Sequence, residues 1–290
     1  MNMRLAIQAG VHHTEFSQLN RCLRLNSRLF FRHGSSVANA NSNAYLSDFL
    51  SSATQPDWNG EFDWKEIIAK QDLEKRVVIT SENFFGGPIF LAGAPQFYSN
   101  ATPRLSAFLK FASPDELKMV FTIRNPATFL PSLYEGSTIK SFSDMVRGAD
   151  PRDFKWSEMV LKLSREFPEV SFHIFCYEDL PMVWGDMIRL IGDLEPSASV
   201  RGEYSFVEKL MKPAGYQRLI SYISGVPELS ALQRRRVLTA FLDKYAIQEK
   251  IEQSIDIEGW SEDFIDILTK QYEDDLQVMT NLPNVNAHFL

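Results

Sequence analysis

The feature that most limits what this chain can become is a series of short apolar runs separated by helix-patterned stretches. RVVIT (76–80), KMVFTI (118–123) and SFHIFCY (171–177) are rich in β-branched and aromatic residues, and MRLAIQA (3–9) opens the chain in a comparable way. Such runs, without a polar face, suit strands covered on both sides. Between them, the apolar positions Leu19, Cys22, Leu23, Leu25 and Leu29 recur at helical spacing and predict one helix from Phe16 to Phe31, with Gly34 as its stop. Further helical patterns cover 103–112, 127–137, 141–147, 155–166 and 181–192. Strands alternating with helices of this length predict an α/β fold, a three-layer α/β/α arrangement around a central parallel sheet. Right-handed crossovers then align every strand's C-terminal end along one edge.

Other segments are less regular. Residues 35–60, rich in Ser, Asn and Ala, read as a loop or lid-like insertion with a short helix near Leu46–Leu50, followed by a helix at WKEIIAKQ. Pro131 predicts that the helix after the third strand is kinked or starts late. Residues 203–281 read as mostly helical and end in the extended segment VNAHFL. At 290 residues the whole chain, 1–290, fits a single large domain.

A net charge of -7 argues against a nucleic-acid partner, because phosphate-backbone binding needs a basic footprint. No apolar run reaches the length of a membrane span, and MNMRLAIQAG lacks the apolar core of a signal peptide. Cys22 on a helix and Cys176 on a strand read as reduced core thiols, and no Cys or His spacing suggests a metal. These features together predict a cytoplasmic protein.

Ligands of parallel sheets bind where the strands end, which directs attention to 10–17, 81–88, 124–132 and 177–181. In AGVHHTEFSQL, a strand meets a helix whose first N–H groups lack internal partners and attract anions. Thr14 or Ser17 either caps that helix or donates to a phosphate oxygen. His12 and His13 are either ligand contacts or structural, and a nearby anion would raise the pKa of His13. Glu15 either complements the helix dipole or opposes a bound phosphate by about 1–4 kcal/mol. Arg124, delivered by a buried strand, needs a partner: a phosphate shared with Ser132, or Glu178 or Asp179 from the next strand end. Phe84, Phe85, Phe90 and Phe97 either fill the core or line a pocket, and Arg234–Arg236 read as a solvated helix face.

Taken in order, these motifs resemble the bacterial sulfotransferase family, related to the cytosolic and heparan sulfotransferases. The resemblance rests on a strand followed by G-x-H-x-T and a helix, and on strands leading into SEN, RNP with a serine eight residues after its arginine, and YEDL. The tail WSEDFIDILTKQYEDDL is also similar to the end of that family. The resemblance implies a P-loop-type fold and 3′-phosphoadenosine 5′-phosphosulfate as sulfuryl donor. It implies that Gly10, His12, His13, Thr14 and Ser17 hold the 5′-phosphosulfate, that Arg124 and Ser132 hold the 3′-phosphate, and that Glu82 deprotonates the hydroxyl of a small-molecule or carbohydrate acceptor. The family loop usually reads H-K-T-G-T-T where this chain has H-H-T-E-F-S, so His13 stands in place of the lysine that stabilises the leaving group. That departure keeps open a second expectation, a non-catalytic nucleotide- or partner-binding protein on the same scaffold. A P-loop kinase is disfavoured, because GxxxxGK[ST] is absent from 8–17.

Overall fold

The computed structural model describes residues 3–69, 76–88, 96–226, 229–251, 255 and 257–290. Six strands form one all-parallel sheet: β1 (Arg4–Gln8), β2 (Ser35–Val37), β3 (Arg76–Thr80), β4 (Glu116–Ile123), β5 (Ser171–Cys176) and β6 (Val285–His288). Their spatial order is β2-β3-β1-β4-β5-β6, which puts β1 at the centre.

Period-two alternation sends successive side chains to opposite faces. Leu5, Ile7, Val77, Ile79, Met119 and Phe121 face one apolar layer built with α3 (Ser42–Ala53), α5 (Ala101–Ala112), α6 (Pro126–Glu135) and α8 (Trp156–Glu166). Ala6, Val78, Val120 and Phe175 face the other, built with α1 (Phe16–Leu25), α2 (Ser27–Arg32) and α9 (Leu180–Gly192). The short helices α4 (Trp64–Ile67) and α7 (Phe142–Met145) and a 3-10 turn at Pro151–Asp153 complete the connections. The C-terminal region is helical: α10 (Ser205–Leu210), α11 (Pro213–Gly225), α12 (Ala231–Tyr245), α13 (Gln248–Ile251) and α14 (Glu262–Met279). Val207, Met211, Leu219, Leu238 and Leu242 give it a small core of its own. The end of α14 returns the chain to β6.

Three expectations change. The helix expected over Phe16–Phe31 is two helices, broken at Asn26, whose buried side chain donates to the carbonyls of Cys22 (2.8 Å) and Arg201 (2.9 Å) and accepts from Arg201 N–H (2.8 Å). The expected 35–60 loop contains the edge strand β2 and a twelve-residue helix, α3. Of the two outcomes expected from Pro131, the late start is excluded, because α6 runs from Pro126 to Glu135 with Pro131 inside it. The buried anchors Phe129, Leu130 and Leu133 hold that helix despite one lost backbone bond, a defect worth about 3 kcal/mol in an isolated helix.

Phe84, Phe85 and Phe97 are core: they meet Phe108, Phe121 and Trp156 edge-on or stacked. Phe90 lies outside the described residues. Of the three arginines expected on a solvated face, Arg234 is bound to Glu203, which also accepts from buried Arg189 at 2.6 Å. Among the described residues no helix is long and apolar enough to cross a membrane.

The connections decide where a ligand can sit. The chain leaves β1 toward the α1/α9 layer, but leaves β3 and β4 toward the opposite layer. Loops that part in this way open a crevice at the C-terminal end of the central strand.

Candidate functional site

The crevice is set by one close approach. Beyond β1, Gly10 adopts φ +89°, and a Cβ built there would stand 2.9 Å from the Glu82 carbonyl oxygen. Only glycine accommodates both the backbone angle and the contact. The loop then stays beside β4, because Thr122 N–H donates to the Gly10 carbonyl (2.9 Å) and Val11 N–H to the Thr122 carbonyl (3.3 Å). His13 (φ 56°) and Glu15 (φ 65°) turn left-handed to start α1, and no side chain caps the helix.

The structure gives the loop residues different duties. Both His12 ring nitrogens are engaged, Nδ1 with Tyr98 Oη and Nε2 with Asn83 Oδ1, each at 2.8 Å. His12 therefore braces the loop against the segments that follow β3. The Thr14 hydroxyl is buried and donates to the Val11 carbonyl at 2.6 Å, so it holds the turn rather than capping α1. Ser17 is exposed in the first turn of α1 and borders the crevice. The exposed ring of His13 lies near Gly136 at the end of α6: a Cβ there would be 3.0 Å from its Cε1. Partial burial, then the charge of Arg124, lowers the pKa of His13 below its ordinary 6.5.

Arg124 leaves β4 almost fully buried, at 3% exposure. Its Nε donates to Thr128 Oγ1 (3.1 Å), its Nη1 to the His13 carbonyl (2.9 Å), and its guanidinium lies 4.5 Å from the centre of the Tyr177 ring. Of the alternative carboxylate partners, Glu178 lies close enough for its charge to favour the Arg124 cation, and both carboxylates also hold backbone N–H groups. Glu178 accepts from Asn125 N–H (2.9 Å) and Tyr272 Oη–H (3.2 Å), while Asp179 accepts from Leu290 N–H (3.0 Å). Burial pushes the Glu178 carboxyl above its usual range.

His13, Glu82, Arg124 and Tyr177, from four different strand exits, thus line one open crevice of about 480 Å³. Glu15 borders it too, its carboxylate held by the Lys209 ammonium from α10. Among the described residues nothing hydrogen-bonds the half-buried Glu82 carboxylate. Ser132 does not line this crevice. Its hydroxyl donates to the Phe129 carbonyl of its own helix (2.7 Å), and its carbonyl lies beside Gly136, against which His13 packs.

Beyond Tyr177 a second cavity of about 450 Å³ opens beneath the helical C-terminal region. Its walls are largely apolar, with Met182, Phe206, Leu242 and Ile265, and it ends in Asn125, Thr128 and Glu178. Helix α14 closes this side: Thr269 Oγ1 accepts from Asn125 Nδ2 (2.9 Å) and Tyr272 reaches Glu178. Asp275 accepts from Trp156 N–H (2.7 Å) and Ser157 N–H (3.1 Å) at the head of α8.

Sequence reasoning missed Tyr98, Asn83, Thr128 and Lys209. Tyr177 carried a signal through its place before Glu178-Asp179, whereas Lys209 lies 194 residues from the carboxylate it meets and carried none. Among the described residues no cluster of three or more His, Cys, Asp or Glu could hold a metal ion. No family model matches the chain, and no curated protein sequence matches it significantly.

Proposed function

We propose that the crevice binds a phosphorylated nucleotide and that the chain acts as a sulfotransferase on 3′-phosphoadenosine 5′-phosphosulfate. The observation that carries this reading is the meeting of His13, Glu82, Arg124 and Tyr177 at the C-terminal edge of the sheet, beside the head of α1. Helix N–H groups and a buried guanidinium suit phosphate oxygens, and the apolar cavity past Tyr177 suits a nucleobase. In transfer, Glu82 takes the proton of an acceptor hydroxyl as its oxygen attacks sulfur. The bond between sulfur and the 5′-phosphate oxygen breaks, and adenosine 3′,5′-bisphosphate leaves with the electron pair. His13 and the α1 N–H groups face the charge that develops there.

A second reading, binding without transfer, is favoured by two observations. The His12 nitrogens are consumed inside the fold, and the pKa of His13 is lowered, so the loop offers no permanent cation of its own. Losing one such electrostatic group costs about 10²–10³ in rate. Calorimetry with adenosine 3′,5′-bisphosphate, paired with sulfuryl transfer from labelled donor to a panel of hydroxyl acceptors, separates the readings. Binding with transfer supports the enzyme, and binding without transfer supports the second reading. No binding at millimolar nucleotide sinks both.

A further inference from the structure

The crevice has a charge balance that an incoming anion must meet. Arg124 is the permanently cationic side chain among the described residues lining it, against the carboxylates of Glu15 and Glu82, while His13 titrates below 6.5. Two carboxylates and one guanidinium leave the lining at -1 when both histidines are neutral. A phosphate dianion is poorly served by that wall alone.

The missing cation stands at the rim. Lys209 of α10 forms an ion pair with Glu15, and both side chains keep solvent access, 48% for the lysine and 27% for the glutamate. The backbone that carries Lys209 is fixed from the helical C-terminal region. Its carbonyl accepts from Lys250 Nζ (2.8 Å), the next carbonyl, of Leu210, accepts from Ile247 N–H (2.8 Å), and Met211 bridges to Ala246. The ammonium is therefore held at the crevice mouth on a flexible stem rooted in an anchored backbone. Glu15, at φ 65° at the head of α1, lines the same crevice, with its carboxylate on the Lys209 ammonium. Burial lowers the pKa of Arg124 and raises that of Tyr177; the Glu15 charge partly offsets the first and adds to the second.

Building on the nucleotide reading above, we propose that Glu15 and Lys209 form an exchangeable ion pair in which Glu15 holds Lys209 in the free protein and Lys209 transfers to a phosphate oxygen when the nucleotide binds. Glu15 then turns toward solvent. Lys209 becomes a ligand-binding residue supplied by the C-terminal helices, and Glu15 acts as a built-in competitor. A lysine that only neutralises Glu15 would have no task once that carboxylate is gone, and this is what distinguishes the two roles.

The test measures adenosine 3′,5′-bisphosphate affinity of the full-length wild type, E15Q, K209A and E15Q/K209A by calorimetry, at two salt concentrations. Removing the competitor should tighten binding, and K209A should weaken it about tenfold, a charge-assisted contact's share. The decisive comparison is E15Q against E15Q/K209A: a loss of about tenfold there supports the transfer. K209R in the E15Q background should keep most of the affinity, which guards against a folding defect. Equal affinities of E15Q and E15Q/K209A overturn the exchange while leaving the nucleotide reading intact. Failure of all four proteins to bind overturns both.

Discussion

Gly10→Ala tests the geometry on which the crevice depends. Two costs follow from the structure. At φ +89° an L-residue bears left-handed strain of about 1–2 kcal/mol. The new methyl also stands 2.9 Å from the Glu82 carbonyl oxygen, a backbone atom that moves only with its strand exit. Relieving such overpacking costs about 1–3 kcal/mol more. The sum is about 2–5 kcal/mol of stability, and the loop carrying His13 must part from Glu82. Gly148 supplies the control, because its φ is +74° but nothing lies within 4 Å of its Cβ position, so Gly148→Ala bears the strain alone. Urea unfolding of the two variants should place G10A at least 1 kcal/mol below G148A, with nucleotide binding lost in G10A and retained in G148A. Equal stabilities, or unchanged binding in G10A, would refute the role given to this contact.

Three further outcomes are expected. His173 on β5 meets His288 on β6, with Nδ1 and Nε2 3.0 Å apart; burial, then His288, pushes the pKa of His173 down to about 3, so the unfolded chain, near 6.5, binds the proton first. Lys118 and Arg76 oppose that proton and Asp186 favours one on His288, so between pH 7 and 5 His173 should cost the fold about 2 kcal/mol, read in urea titrations as the larger acid loss of the wild type over H173N. An anion raises the lowered pKa of His13, so its contribution to nucleotide affinity is complete below the ligand-free value and vanishes as pH rises through the bound one; affinity measured from pH 5 to 8 should climb toward acid in the wild type and lose that component in H13A. Asp275→Ala strips the acceptor from two N–H groups at the head of α8 and should cost about 1–3 kcal/mol by thermal unfolding, with D275N less damaging.

The sheet was legible because its strands are covered on both faces, which leaves runs such as RVVIT without polar alternation. β2 escaped because three residues, Ser-Ser-Val, carry no period, and its pairing with Arg76–Val78 is a long-range event. The break at Asn26 was invisible for a similar reason: helical spacing continues through it, and its cause lies at Arg201. Within the site, the residues at strand ends could be named because topology delivers them to one edge. Their partners could not, since Tyr98 reaches His12 across 86 residues and no spacing rule encodes that contact. Thr14 and His12 show the limit from the other side: a motif names side-chain types but not which hydrogen bonds the loop consumes internally.

The most direct measurement is a crystal structure grown with adenosine 3′,5′-bisphosphate. One phosphate should lie on the Arg124 guanidinium, the other at the head of α1 beside His13, and the base past Tyr177. Nucleotide bound elsewhere, or an empty crevice at saturating ligand with Arg124 still on Thr128 and the His13 carbonyl, would contradict the account.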